Sequence, residues 1–357
     1  MIRWRVGTIV AVESAREGLV RVRVQTERDQ LPAIAYPTIT GSPVVGERVW
    51  LNTTALDLGL GTGGVAIVGA RLDAGDIDLA GDGHIVKARY TPSQVTVSSA
   101  DEQGSAHYDR LAEADDIDGM PVVVADLHSS LPAIVAGIRA SRPDLRIGYV
   151  MTDGAALPIA LSDTVAALSA AGWVSTTVTA GQAFGGELEA VTVHTALLAA
   201  RLIARVDIAV VCQGPGNLGT GTRWGFSGVA VGEAVNAVSV LGGRAIAALR
   251  VSAVDPRSRH RGLSHHTLTA LGRVALRPAD VVVPLLNGDD AELYRVIRSA
   301  AEVLSPPHHI VEISVDGLDD ALDRSPVNLS TMGRDRDADP AAFLAAAAAG
   351  RHAASLV

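Results

Sequence analysis

The chain has 357 residues, of which 48% are hydrophobic, and a formal net charge of −9 at neutral pH. That length supports two domains with real cores, while the acidic balance and only 3% aromatics argue against nucleic-acid partners, which need phosphate neutralisation and stacking platforms. The longest apolar runs fall short of a bilayer span, and the start Met1-Ile2-Arg3-Trp4-Arg5-Val6 has no apolar signal region. A cytoplasmic protein with no membrane association is therefore expected.

Residues 3–12 and 19–25 flank a polar turn, and Val20, Val22 and Val24 alternate with Arg21 and Arg23 as in half-buried strands. Residues 43–51 read as a turn and a strand, and 65–70 and 85–89 add two more strands. This spacing predicts a small N-terminal β-barrel or sandwich. A glycine stretch over 52–64 joins two of these strands as a turn. Residues 90–119 are polar, with the acidic run Glu113-Ala114-Asp115-Asp116, so the boundary is expected near their end: an all-β domain with its linker over 1–118 and a second domain over 119–357.

From Met120 onward, apolar strands (122–126, 147–151, 174–180, 208–212, 245–251, 281–285 and 310–314) alternate with helical segments (131–141, 162–171, 188–204, 229–241, 264–276 and 290–304). Near-continuous apolar strands joined by helices predict an α/β domain with a doubly wound, mostly parallel sheet covered by helices on both faces. The alanine-rich run 341–349 predicts a helix in a C-terminal tail.

Rare residues exclude chemistry. The single cysteine, Cys212, sits in an apolar strand and reads as core, which rules out an intramolecular disulfide and an iron–sulfur cluster. The single lysine, Lys87, leaves no Walker loop and no base for pyridoxal phosphate elsewhere.

In an open parallel sheet ligands bind beyond the carboxyl ends of the strands, so the residues that follow each strand are the candidates. The most informative is the glycine loop over 213–228, between the strand 208–212 and the helix 229–241. A strand–loop–helix junction of this kind aims backbone N–H groups at an anion, and Gly214, Gly216, Gly219, Thr220, Gly221 and Thr222 are expected to hold one. The segment Gly214-Pro215-Gly216-Asn217-Leu218-Gly219 matches the spacing of a dinucleotide fingerprint. It follows the fourth strand, runs on to Gly228, and lacks a following acidic residue for a ribose, so no nicotinamide site is expected.

The next strand is followed by Arg257, Arg259 and Arg261 within five residues, then by Ser264, a good N-cap. Arg257, Arg259 and Ser264 form an anion-binding candidate. His260 and His265 are acid–base candidates and a plausible pair for a metal or a proton, whereas the neighbours His265 and His266 diverge by about 100° on a helix and do not readily share one ion. Among the strand-end carboxylates Asp126, Asp153, Glu187 and Asp255, the pair Asp126 and Asp153 could hold Mg²⁺ or another divalent cation, with Asp153 also a catalytic candidate. Each of these acids also suits a helix cap or turn. His194 lies two helical turns past Glu187, roughly 10 Å, too far to share a metal with it.

Several segments together resemble a bacterial family known as domain of unknown function 3866. They span residues 51–64, 84–92, 149–158, 180–186, 214–228 and 259–267. The likeness covers nearly the whole chain and implies one two-domain unit; no activity comes with it. Gln182 stands where the resemblance leads one to expect histidine.

The expected function is that of an enzyme, a hydrolase or transferase acting on a phosphorylated or otherwise anionic small molecule with metal assistance. The rival is a ligand-sensing or homo-oligomeric assembly module built on the barrel and the glycine loop.

Overall fold

Val22 and Val24 are fully buried and Val20 nearly so, while Arg21 and Arg23 lie only partly covered on the other face of the same strand. That alternation drives the N-terminal part of the chain into a closed barrel. The computed structural model describes residues 2–60, 64–78 and 83–357 and divides into two compact units, Met1–Ser98 and Ser99–Val357.

The first unit is built from β1 (Trp4–Arg16), β2 (Leu19–Thr26), β3 (Gln30–Ala35), β4 (Arg48–Asn52) and β5 (Ala66–Arg71), followed by a hairpin of β6 (Ile85–Lys87) and β7 (Val95–Val97). The five strands close in the order β1-β2-β3-β5-β4, antiparallel except for β3 and β5. The expectation of a barrel or sandwich thus resolves to a barrel. Two register shifts in β1, between Ile9 and Ala11 and between Val12 and Ser14, bend that long strand around the barrel. Ile9, Val22, Val24, Val49, Leu51 and Val68 fill the interior. In the glycine stretch over 52–64, residues 54–57 form one helical turn, and Gly61, Thr62 and Gly63 lie outside the described residues.

The second unit begins earlier than the composition suggests. Ser99 bridges to Glu189, the Ala100 amide donates to Glu189 O (2.9 Å), and the Ile117 amide donates to Leu241 O (2.9 Å), with Ile117 fully buried. The acidic stretch before Met120 is therefore anchored to the α/β unit by its few apolar residues.

Its sheet comprises β8 (Pro121–Val124), β9 (Ile147–Thr152), β10 (Thr176–Thr179), β11 (Leu188–Glu189), β12 (Ile208–Gln213) and β13 (Arg244–Ala248). After a small hairpin of β14 (Val251–Ser252) and β15 (Gly262–Leu263), β16 (Asp280–Leu285) and β17 (His309–Ser314) complete it. The order is β11-β10-β9-β12-β8-β13-β16-β17, all parallel. β8, β10 and β12 are buried at every position, as the continuous apolar runs require. Cys212 is buried core, as expected.

One expected helix starts late. Leu188 and Glu189 pair with Val178 and Thr179 as the edge strand β11, because Thr179 Oγ1 donates to the buried Glu189 carboxylate (2.8 Å); the helix begins at Val193. His194 is an exposed residue on it.

The alanine run is part of a 15-residue helix, Pro340–Ala354, buried along most of its length against Leu131–Ser141. Two glycines let these helices touch backbone to backbone. A Cβ at Gly137 would lie 1.9 Å from Ala347 O, and one at Gly350 would lie 2.0 Å from Ile134 O. Among the described residues no helix is long and apolar enough to cross a membrane.

Candidate functional site

β8 is the first strand of the sheet, yet it ends up between β12 and β13. Its carboxyl end therefore faces the loops that follow both neighbours, the crevice geometry of a topological switch point. Asp126, just past β8, is 7% exposed. Its Oδ1 accepts Asn217 Nδ2 from the glycine loop (2.8 Å), and its Oδ2 accepts Arg250 Nη1 (2.9 Å) and His266 Nδ1 (3.0 Å). Arg250 Nη1 also lies 2.9 Å from His266 Nδ1. Both are donors once His266 carries its proton on Nδ1, so the carboxylate oxygen is what they share. Burial raises the Asp126 carboxyl, but the His266 hydrogen bond and the Arg250 charge outweigh it and hold the group below the usual carboxylate range.

Gly228 makes this arrangement possible. It precedes helix Ala230–Val240, and a Cβ there would lie 1.6 Å from Asp126 Oδ1. Small cavities flank the carboxylate, one lined by Thr152, Cys212, Gln213 and Gly228 and another by Ala247, His266 and Thr267.

The histidines arrive through the β14–β15 hairpin, which folds the arginine-rich segment back over the end of β13. Ser264 caps helix His265–Thr269 by accepting the His266 amide (3.2 Å), as the sequence predicts, and its Oγ lies 2.7 Å from His260 Nδ1. The rings of His260, His265 and His266 have centroids 4.5 to 5.0 Å apart, and one nitrogen from each lies within 4.8 Å of the others. Phe226 stacks on His266 at 3.7 Å. Burial, then the positive charges of Arg250 and Arg257, lower His260 to about 3. Burial also lowers His265, with His266 and Arg259 adding to it. Both imidazoles are neutral near pH 7. His265 Nε2 is buried without a partner among the described residues. The expectation that His265 and His266 diverge is corrected: His266 bends back to Asp126, and the ring of His260 closes the group.

The glycine loop differs from a phosphate cradle. It folds into a hairpin in which the Thr220 amide donates to Gly225 O (2.7 Å), the Ser227 amide to Leu218 O (3.0 Å), the Leu218 amide to Ser227 Oγ (3.0 Å) and the Gly225 amide to Thr222 Oγ1 (3.1 Å). Of the residues expected to meet an anion, Thr220 thus spends its N–H within the loop, and Thr222 its hydroxyl. Gly214 lies over Met151 and Ala156, Gly216 and Gly221 take positive φ, and Gly219 bridges to Phe226. The hairpin tip meets the arginine segment instead: a Cβ at Gly221 would lie 3.3 Å from Arg259 Nη2. Arg259 is exposed and makes no ion pair among the described residues.

Arg257 is committed elsewhere. Its guanidinium makes a two-pronged contact with Asp255 (3.0 and 2.9 Å), and Arg334 bridges Asp255 and the buried Asp339. Asp255 is held far below the usual carboxylate range, first by Arg257. Asp153 accepts the Gln182 amide (2.9 Å) and so pins the loop after β10. Asp126 spends its oxygens on Asn217, Arg250 and His266 rather than facing a cation with Asp153. Glu187 accepts Thr176 Oγ1 (3.0 Å) at the sheet edge.

Sequence reasoning missed Arg250, Asn217 and Gln213. Gln213 donates to Asp126 O (2.8 Å), and its Oε1 is buried without a partner among the described residues. Arg250 is the one charge that ends the apolar run Ala245 to Leu249, so the strand-end rule applied to it as well.

His128, two residues past Asp126, sits between Tyr149 Oη (3.1 Å) and Ser162 Oγ (2.7 Å), and burial pushes it down to about 4. Its unfolded pKa is near 6.5, so the unfolded chain binds the extra proton between those values. Stability is then complete above about pH 6.5 and falls as pH drops toward 4, by about 3 kcal/mol from this residue. Urea unfolding followed across that range will show a shallower pH dependence in His128→Gln, by about one proton at most; an unchanged slope would mean that His128 charges freely in the folded protein.

A family model described as Protein of unknown function (DUF3866) matches residues 32–350. A comparison with curated proteins gives no match.

Proposed function

For a chain that belongs to the DUF3866 family, whose description carries no activity, we propose an enzyme that hydrolyses or transfers a group on an anionic, phosphorylated small molecule in the cytoplasm. The observation that carries this reading is the buried Asp126–His266 pair set beside His260, His265 and the exposed Arg259, which makes no ion pair among the described residues. A carboxylate that fixes one imidazole nitrogen leaves the other as a base or ligand of defined direction. Arg259 offers a planar, permanently charged fork suited to phosphate or carboxylate. Arg257 is not part of the anion contact, because Asp255 neutralises it. Ser264 acts as a positioning residue for His260.

The rival reading, an assembly module, draws on Leu218 and Trp224, which are 65% and 55% exposed on the glycine hairpin. Thermal unfolding against nucleotides, phosphorylated metabolites and carboxylates separates the two, since a ligand of the native state raises the midpoint. We expect a shift with at least one phosphorylated compound and its weakening by about 10- to 100-fold in affinity in Arg259→Ala, the worth of a charged hydrogen bond. No shift with any anion, together with a concentration-dependent oligomer lost in Trp224→Ala, would replace the enzyme reading with assembly.

A further inference from the structure

We propose that His260, His265 and His266 form the protein half of a metal centre that takes one first-row divalent ion, zinc by preference, with its fourth position open. Any three points within 4.8 Å of one another fit within about 2.8 Å of a common centre, against a zinc–nitrogen bond of about 2.0–2.1 Å. Small ring movements close the site.

The outer contacts are those a metal site needs. His266 Nδ1 is held by Asp126 and His260 Nδ1 by Ser264 Oγ, so each ring has one nitrogen fixed and its Nε2 left to ligate. His265 contributes an independent sign, a buried Nε2 without a partner among the described residues. A buried imidazole nitrogen without a partner is costly, and an ion would satisfy it. Three imidazoles with no thiolate suit zinc, copper, nickel or iron(II) over magnesium. This replaces the Mg²⁺ expectation at Asp126 and Asp153: Asp126 acts one shell out. A three-histidine zinc ion keeps a water whose pKa falls to about 7, and Arg259 stands beside His265 to receive an anion next to that water.

The inference deepens the proposed function by naming what the histidines hold, and its test uses metal alone. The full chain, stripped with chelator, is dialysed against Zn²⁺ and separately titrated with Co²⁺. Wild type and a His194→Ala control are expected to bind one ion per chain, with the intense visible bands of four-coordinate cobalt. His265→Ala should lose the bands and the stoichiometry, and Asp126→Asn should bind about 10- to 100-fold more weakly. Equal stoichiometry in wild type and a folded His265→Ala overturns the assignment. Should that variant not fold, weak octahedral-type cobalt bands in the wild type overturn it. A failed titration with anion binding intact removes the metal and leaves the anion site standing; the reverse result leaves the metal and removes the anion reading.

Discussion

Asp126→Ala will lower the stability of the second unit by about 3–5 kcal/mol, the cost of stranding a buried charge. The Arg250 and Asp126 side chains are 8% and 7% exposed and 2.9 Å apart, so the guanidinium loses its counter-ion where water cannot replace it. Asn217 and His266 lose their acceptor in the same step. The effect will show as a lower urea midpoint by circular dichroism. Asp126→Ala/Arg250→Ala will cost less than the sum of the single changes, because the second substitution removes the charge that the first left unpaired. Additive losses would mean that the two groups are solvated separately and that the carboxylate does not organise the crevice.

Gly350→Ala will be a severely damaging conservative change outside the site. Alanine raises helix propensity over glycine by about 1 kcal/mol, which alone predicts stabilisation. Its Cβ would lie 2.0 Å from Ile134 O, and a backbone carbonyl cannot swing aside as a side chain can. Helices Leu131–Ser141 and Pro340–Ala354 must then separate, which loosens the alanine-lined seam between them. We expect overpacking to win, with a net loss of about 3 kcal/mol, at the top of the usual range. Calorimetry would read this as a fall of roughly 6–12 °C in Tm. Gly137→Ala should behave alike, since its Cβ meets Ala347 O at 1.9 Å, while Gly104→Ala, with nothing within 4 Å of its Cβ, should be neutral. A Gly350→Ala protein as stable as wild type would show that the helices pack less closely than described.

Much of the fold was legible locally. The Val20–Val22–Val24 alternation announces a barrel strand and the run Ile208 to Cys212 a buried parallel strand, because burial on one face or two leaves a direct mark on composition. The cap Ser264 and the position of the glycine loop after β12 were readable for the same reason, each being a demand that neighbours in sequence place on one another, whereas the hairpin that the loop forms was not. Glu189 was misread, since an acid in an apparent first helical turn looks the same whether it caps a helix or accepts Thr179 from the next strand.

Strand order was not local. Nothing in the residues of β8 states that β12 and β13 will flank it, yet that order alone joins Asp126 to Asn217, Arg250 and His266, which lie 91, 124 and 140 positions away. Which arginine is free is settled partly at short range: Asp255 pairs with Arg257 only two residues on, while Arg334 joins that pair from 79 positions away and Gly221 comes to lie beside Arg259. The sequence by itself therefore determined which residue types stand at the carboxyl edge of the sheet, because strand and loop character are written in local hydrophobic pattern. Only the tertiary structure decided which of them are paired off and which face one another, because a charge or an imidazole takes its chemistry from partners that the chain brings in from far away.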